Sequence, residues 1–183
     1  MTALWIVLGV VAALVLWAIG VYNGLIKLKV RTEEAASDID VQLKRRHDLI
    51  PNLVNTVKGY ASHEEKTFTA VIEARNKAMA AQTMGEKAEA ENMLSNTLKS
   101  IFALAEAYPD LKANQNFLHL QSELVDTEDK IQASRRFYNA NARDFNTKMQ
   151  VFPNNILANM FGYKKFDFYE AVEAERQNVN VQF

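Results

Sequence analysis

From Met1 to Ile26 no side chain carries a charge, and apolar residues fall on every face of a would-be helix rather than on one. A helix crosses the hydrocarbon core with about 20 residues at 1.5 Å each, and residues 3–22 supply that length. Trp5 stands near one end, with Trp17 and Tyr22 near the other, where amphipathic rings favour the headgroup zones. A cleaved leader needs a basic start and a small-residue cleavage site. No Lys or Arg precedes the apolar run, and the bulky Val21-Tyr22-Asn23 follows it, so an uncleaved anchor is expected over residues 1–26.

Beyond Gly24 the helix breakers are sparse: Pro51, Gly59, Gly85, Pro109, Pro153 and Gly162. They cut the chain into helix-sized pieces, and strand-like alternation shows only in the last residues, Val179 to Phe183. Ser62 with Glu65 and Thr83 with Glu86 have capping-box spacing, which marks two helix starts. Ala36, Ile39 and Leu43 predict a helix running on from the anchor to about residue 46, with a kink or restart at Pro51 because the residue before proline resists the α conformation. Phe68, Ile72 and Met79 predict the buried face of the next helix, interrupted by Arg75. Leu94, Leu98, Ile101, Ala105 and Tyr108 do the same for the third. From Asn114 to Val151 there is no Gly or Pro, and Phe117, Leu124, Ile131, Tyr138, Phe145 and Phe152 recur every seventh residue. The pattern predicts an all-α protein: a transmembrane helix, then an antiparallel four-helix bundle over residues 27–152. A short extra C-terminal helix is expected in an aromatic-rich segment, 153–183, that packs on the bundle, a partner or the membrane.

Composition narrows the chemistry. The formal net charge of −1 gives no basic field for nucleic acid. With no cysteine, disulfides, thiolate chemistry and sulfur-ligated metals are excluded. A di-iron bundle wants Glu-x-x-His pairs, but Lys44, Tyr60 and Asn116 stand three before His47, His63 and His119. His63-Glu64-Glu65 lacks the second histidine of a zinc-protease helix, and neither a nucleophile elbow nor a phosphate loop occurs. No catalytic residue, metal ligand or cofactor is expected. The basic triplet Lys44-Arg45-Arg46, with Asp38, Asp40 and Asp48 around it, reads as a solvated or intramolecularly paired face.

Three features point to binding instead. Thr127, Glu128, Ser134, Arg135 and Asn141 stand beside the heptad column where apolar partners are expected. Such groups either reach water or pair with one another, and Arg75 is a candidate partner for Glu128, making Arg75, Glu128 and Arg135 a candidate polar core. Small residues at Gly9, Ala13, Gly20 and Gly24 would let transmembrane helices approach closely. Five of the ten phenylalanines lie after Val151, and Phe152, Ile156, Leu157, Met160 and Phe161 form a candidate interaction surface.

Four stretches carry a family resemblance: IDVQLKRRHDLIPNLVNTVKGYASHE (Ile39 to Glu64), AVIEARNKAM (Ala70 to Met79), ALAEAYPDLKANQNF (Ala103 to Phe117) and FPNNILANMFGYKK (Phe152 to Lys165). Together with Tyr22-Asn23 they resemble the LemA family along essentially the whole chain. Ala35-Ala36-Ser37 departs from the Ala-Trp-Ser step of many relatives. The resemblance implies a bacterial, membrane-anchored antiparallel helical bundle with no assigned enzymatic activity or cofactor, and members are associated with membrane proteases or stress functions. Some relatives use lipoprotein-type signals, which would place the domain outside the cytoplasm. Lys27, Lys29 and Arg31 just after the span favour a cytoplasmic domain instead. The expected function is a non-enzymatic scaffold or adaptor in the bilayer, homo-oligomeric, with a membrane-protein partner and no nucleic acid. The alternatives are a hydrolase or lipid-modifying enzyme with scattered Asp, Glu and Arg residues, and a sensor of a small ligand or ion in a polar bundle core.

Overall fold

Long runs of helix-forming residues with few breakers give six helices in the computed structural model, which describes residues 1–170. They are α1 (Thr2–Lys58), α2 (Glu65–Ala80), α3 (Met84–Ala107), α4 (Pro109–Lys112), α5 (Gln115–Gln150) and α6 (Asn154–Met160). The alternating stretch Val179 to Phe183 lies outside the described residues. The fold is all-α with one apolar N-terminal helix, but it is not a clean four-helix bundle. The described chain packs as two compact units; two of their boundaries fall inside α1 and α5, and the third in the non-helical chain after α6.

Residues 38–135, with the described residues from Phe168, form one unit. Its core joins Ile50, Leu53, Val54 and Val57 of α1 to Phe68 and Val71 of α2, Leu94, Leu98 and Ile101 of α3, Leu111 of α4, and Phe117 and Leu124 of α5. Burying each large aliphatic or aromatic side chain is worth about 1.5–3 kcal/mol. The buried stripe of α2 runs through Phe68, Val71, Ala74 and Ala78, while Met79 is exposed. The stripe is rotated from the predicted Phe68–Ile72–Met79 face toward small residues, whose short side chains let a neighbouring helix approach.

Two predicted boundaries need correction. Helix α1 does not stop or restart at Pro51 but runs through it. Proline at 51 cannot donate to the carbonyl of His47 four residues earlier. That oxygen instead accepts a hydrogen bond from Arg75 Nε at 2.7 Å, so the gap in the ladder is filled from α2. The Ser62–Glu65 capping box does not form either. Glu64 precedes α2 without a side-chain cap, and the chain from Val57 to Glu64 is spent on a turn around buried Ala61, with Ala61 N–H on the Val57 carbonyl and Glu64 N–H on that of Ala61. Thr83 and Glu86 do form the reciprocal box at the start of α3.

Residues 1–37 and 136–167 form the other unit. Its core is Val21 and Leu25 of α1, Phe145 and Met149 of α5, and Leu157 and Ala158 of α6, flanked by Ala18, Leu28, Tyr163 and Phe166. Ahead of Ala18, no packing from the other described residues covers α1: Leu4, Trp5, Ile6, Leu14 and Leu16 are all more than half exposed. A helix apolar on every face and covered by nothing is a membrane-spanning helix. Gly162, at φ 69°, ends α6 in a left-handed turn, and Tyr163 N–H reaches back to the Ala158 carbonyl at 3.0 Å, as in a Schellman motif. The chain after α6 is hung on α5: the Asn146 side chain exchanges two 2.9 Å bonds with the Phe166 backbone, and Tyr138 Oη donates to the Asp167 carbonyl.

Candidate functional site: a buried ion-pair network and an exposed apolar tip

Successive helical residues rotate by about 100°, so the basic triplet cannot share one face. Lys44 stays in water with Asp48 four residues on, at 2.7 Å. Arg45 turns to α5, meeting Glu123 at 2.6 Å and Asp126 at 3.2 Å. Arg46 and His47 lie three and four residues after buried Leu43 and four and three before buried Ile50, which puts both on the core-facing stripe of α1.

There Arg46 is 4% exposed and His47 7%, so their polar atoms must be satisfied by protein. Glu91 of α3, itself buried, serves both: one oxygen is 2.6 Å from His47 Nε2 and the other 3.4 Å from Arg46 Nη1. Arg46 Nη1 also meets Glu128 of α5 at 2.9 Å, and Nη2 donates to Ser95 Oγ at 2.6 Å. The network ties three helices together through one guanidinium, whose planar fork suits several acceptors. Tyr169 lies against the same charges. Burial pushes its phenol well above the ordinary range, Glu91 adds to the rise, and Arg135 and Arg46 oppose it. The Arg135 guanidinium sits 4.7 Å from the Tyr169 ring centroid, a cation–π distance.

Of the candidate polar core, Glu128 and Arg135 therefore stand at this network. Arg75 does not meet Glu128; its Nε is engaged by the His47 carbonyl, while Glu128 pairs with Arg46. Thr127 and Asn141 are buried and bond to their own helix, Thr127 Oγ1 to the Glu123 carbonyl and Asn141 Nδ2 to that of Phe137. Sequence reasoning foresaw intramolecular pairing of the basic triplet but not the burial of Arg46, and it missed His47 and Glu91. The signal was there: Glu91 stands three residues before Leu94 and seven before Leu98, on the buried stripe of α3. A cavity of about 540 Å³ opens beside the network, with Arg46, Glu128, Ser95 and Asn92 on one side and Leu98, Phe102 and Leu124 among its apolar walls.

The candidate interaction residues lie in the other unit. A Cβ built at Gly20 meets nothing within 4 Å, whereas Gly24 lies under the Lys148 side chain, so the two glycines of the GxxxG pair differ in accessibility. Phe152, Ile156, Met160 and Phe161 are all at least half exposed, but Leu157 is buried in the core with Val21 and Leu25. Phe161 contacts Tyr22 of the anchor, ring centroids 5.0 Å apart.

The chain is similar to several known proteins. Magnetosome protein MamQ 2 of Paramagnetospirillum magneticum is 25% identical over 175 residues, covering 81% of this chain and 64% of its own length. Magnetosome protein MamQ of Magnetospirillum gryphiswaldense is 23% identical with the same coverage, so this chain spans a little under two thirds of the length of these relatives. Protein LemA of Metamycoplasma hominis is 27% identical over 163 residues, covering 88% of this chain and 74% of its own. The LemA family model matches residues 35–183, from the helix that leaves the membrane through the bundle to the last residue, and the chain belongs to the LemA family.

Proposed function

We propose that this protein is a non-enzymatic adaptor of the bacterial cell membrane, which self-associates and holds a helical platform for other membrane proteins. The observation that carries this reading is the closure of the buried ionisable groups on one another. Buried Arg46, His47 and Glu91 pair with one another and with the partly exposed Glu128 across three helices, an arrangement suited to locking helix register. Gly9, Ala13 and Gly20 supply small, uncovered positions on the anchor for contact with a second transmembrane helix. The names of the relatives are a family and a cellular structure rather than a reaction, in keeping with an assembly role.

Crosslinking in native membranes, read by mass spectrometry, tests it. Adaptor function requires reproducible contacts with a second copy and with a membrane protein, and Gly9→Leu with Gly20→Leu should weaken the self-contacts. A strictly monomeric particle by light scattering in several mild detergents, with no crosslinks, overturns the reading.

The cavity beside Arg46 favours a second reading, a sensor of a small polar ligand. Asn92 Nδ2, which faces no protein acceptor among the described residues, belongs to its wall. Ligand-dependent thermal stabilisation that is lost in Asn92→Leu, with no self-association, would favour the sensor.

A further inference from the structure

The exposed apolar tip sits at a definite height on the anchor. Leu157 and Ala158 of α6 pack with Val21 and Leu25 of α1, and Phe161 meets Tyr22. These are the residues at which the 20-residue apolar span gives way to Lys27, Lys29 and Arg31. Helix α6 is thus held where α1 leaves the hydrocarbon.

Among the described residues nothing covers its other face. Ile156 and Met160, one turn apart, are 57% and 67% exposed, and Phe152 is 75% exposed. Between Phe145 and Phe166 there are Lys148, Lys164 and Lys165 and no acidic residue, and α1 carries no acidic residue before Glu33. Apolar side chains with flanking lysines at the end of a membrane span match the boundary between acyl chains and headgroups.

We infer that α6 and its flanks form an interfacial collar, with Phe152, Ile156, Met160 and Phe161 immersed at the headgroup–acyl boundary and the lysines facing anionic lipid headgroups. Lipid is the occupant because this surface is continuous with the lipid-covered anchor and is already fixed to it by the Leu157–Val21–Leu25 cluster. The seven residues of α6 are too few to bind a membrane alone, but here they are pre-positioned. The collar sets the depth of the anchor, and it stands whether or not the chain self-associates.

The absence of native cysteine makes the test direct. Full-length Ile156→Cys and Met160→Cys variants carry an environment-sensitive fluorophore in phosphatidylcholine–phosphatidylglycerol vesicles. The control is Arg136→Cys, exposed on α5 about 21 Å from its C-terminal end. Both native positions are exposed, so the substitutions leave the core intact, and unchanged helix content by circular dichroism checks this. The tip labels should be blue-shifted, quenched several-fold more than the control by lipids spin-labelled near the headgroup, and correspondingly less by aqueous iodide. Iodide quenching equal to the control overturns the collar, because the tip is then in water. Shielding from both quenchers also overturns it, because a protein then covers the tip.

Discussion

Pro51 removes an amide hydrogen from the interior of a 57-residue helix, and Arg75 supplies the donor that the His47 carbonyl lacks. A hydrogen bond from a charged donor is worth about 1.5–3 kcal/mol, so Arg75→Ala should cost about that much. In a Pro51→Ala background the restored backbone donor should reduce that cost, and a double-mutant cycle by chemical denaturation measures the coupling. Glu91→Ala removes the carboxylate partner of buried His47, while Arg46 keeps Glu128 and Ser95, and should lower stability by about 1–3 kcal/mol. Lys44→Ala, on an exposed pair, should leave the melting temperature unchanged. The phenols of Tyr138 and Tyr169 are both raised above the ordinary 10.0, mainly by burial. Groups raised on folding contribute full stability below their unfolded value and lose it above. Stability should therefore be insensitive to these two groups up to about pH 10 and fall as pH rises further, with Tyr169→Phe flattening the fall. At this scale the sequence was least legible. Arg46, His47 and Glu91 sit at core-stripe positions, but their charge hides them from a reading that counts only apolar residues as core.

The elements were far more readable, because periodicity records burial directly. In the seven-residue column of α5, Phe117, Leu124, Ile131, Tyr138 and Phe145 are all buried, and only Phe152, beyond the helix end at Gln150, is exposed. Seven residues fall about 20° short of two full turns, so the column stays on one face only if the neighbouring surface winds with it. Ile131→Ala should cost about 2–5 kcal/mol through the cavity it leaves, whereas Ser122→Ala on the exposed face should stay within about 0.5 kcal/mol. Equal melting of the two would show that the column is not core. Capping motifs were half legible. The Thr83–Glu86 pair forms its box and Thr83→Ala should cost about 1 kcal/mol, while Ser62 has the right spacing but is consumed by a turn that spacing cannot foresee.

At the scale of the molecule, the apolar span was plain from the first 26 residues, in which no side chain carries a charge. Lys27, Lys29 and Arg31 follow it directly, which argues for a cytoplasmic helical core. Protease added to intact spheroplasts should leave that core whole, and digestion there, with protection in inverted vesicles, would reverse the assignment. What periodicity could not show is that the two compact units share α1 and α5, so that neither is a contiguous stretch of chain. That arrangement has a consequence for biosynthesis. Val21 and Leu25 emerge from the ribosome about 120 residues before Phe145, their nearest core partner in sequence on α5. At about 5–20 residues per second, the anchor waits roughly 6–24 s with that side uncovered. During that interval the same apolar patch is open to lipid, to insertion machinery or to the anchor of another copy, and the late arrival of α5 and α6 is what closes it.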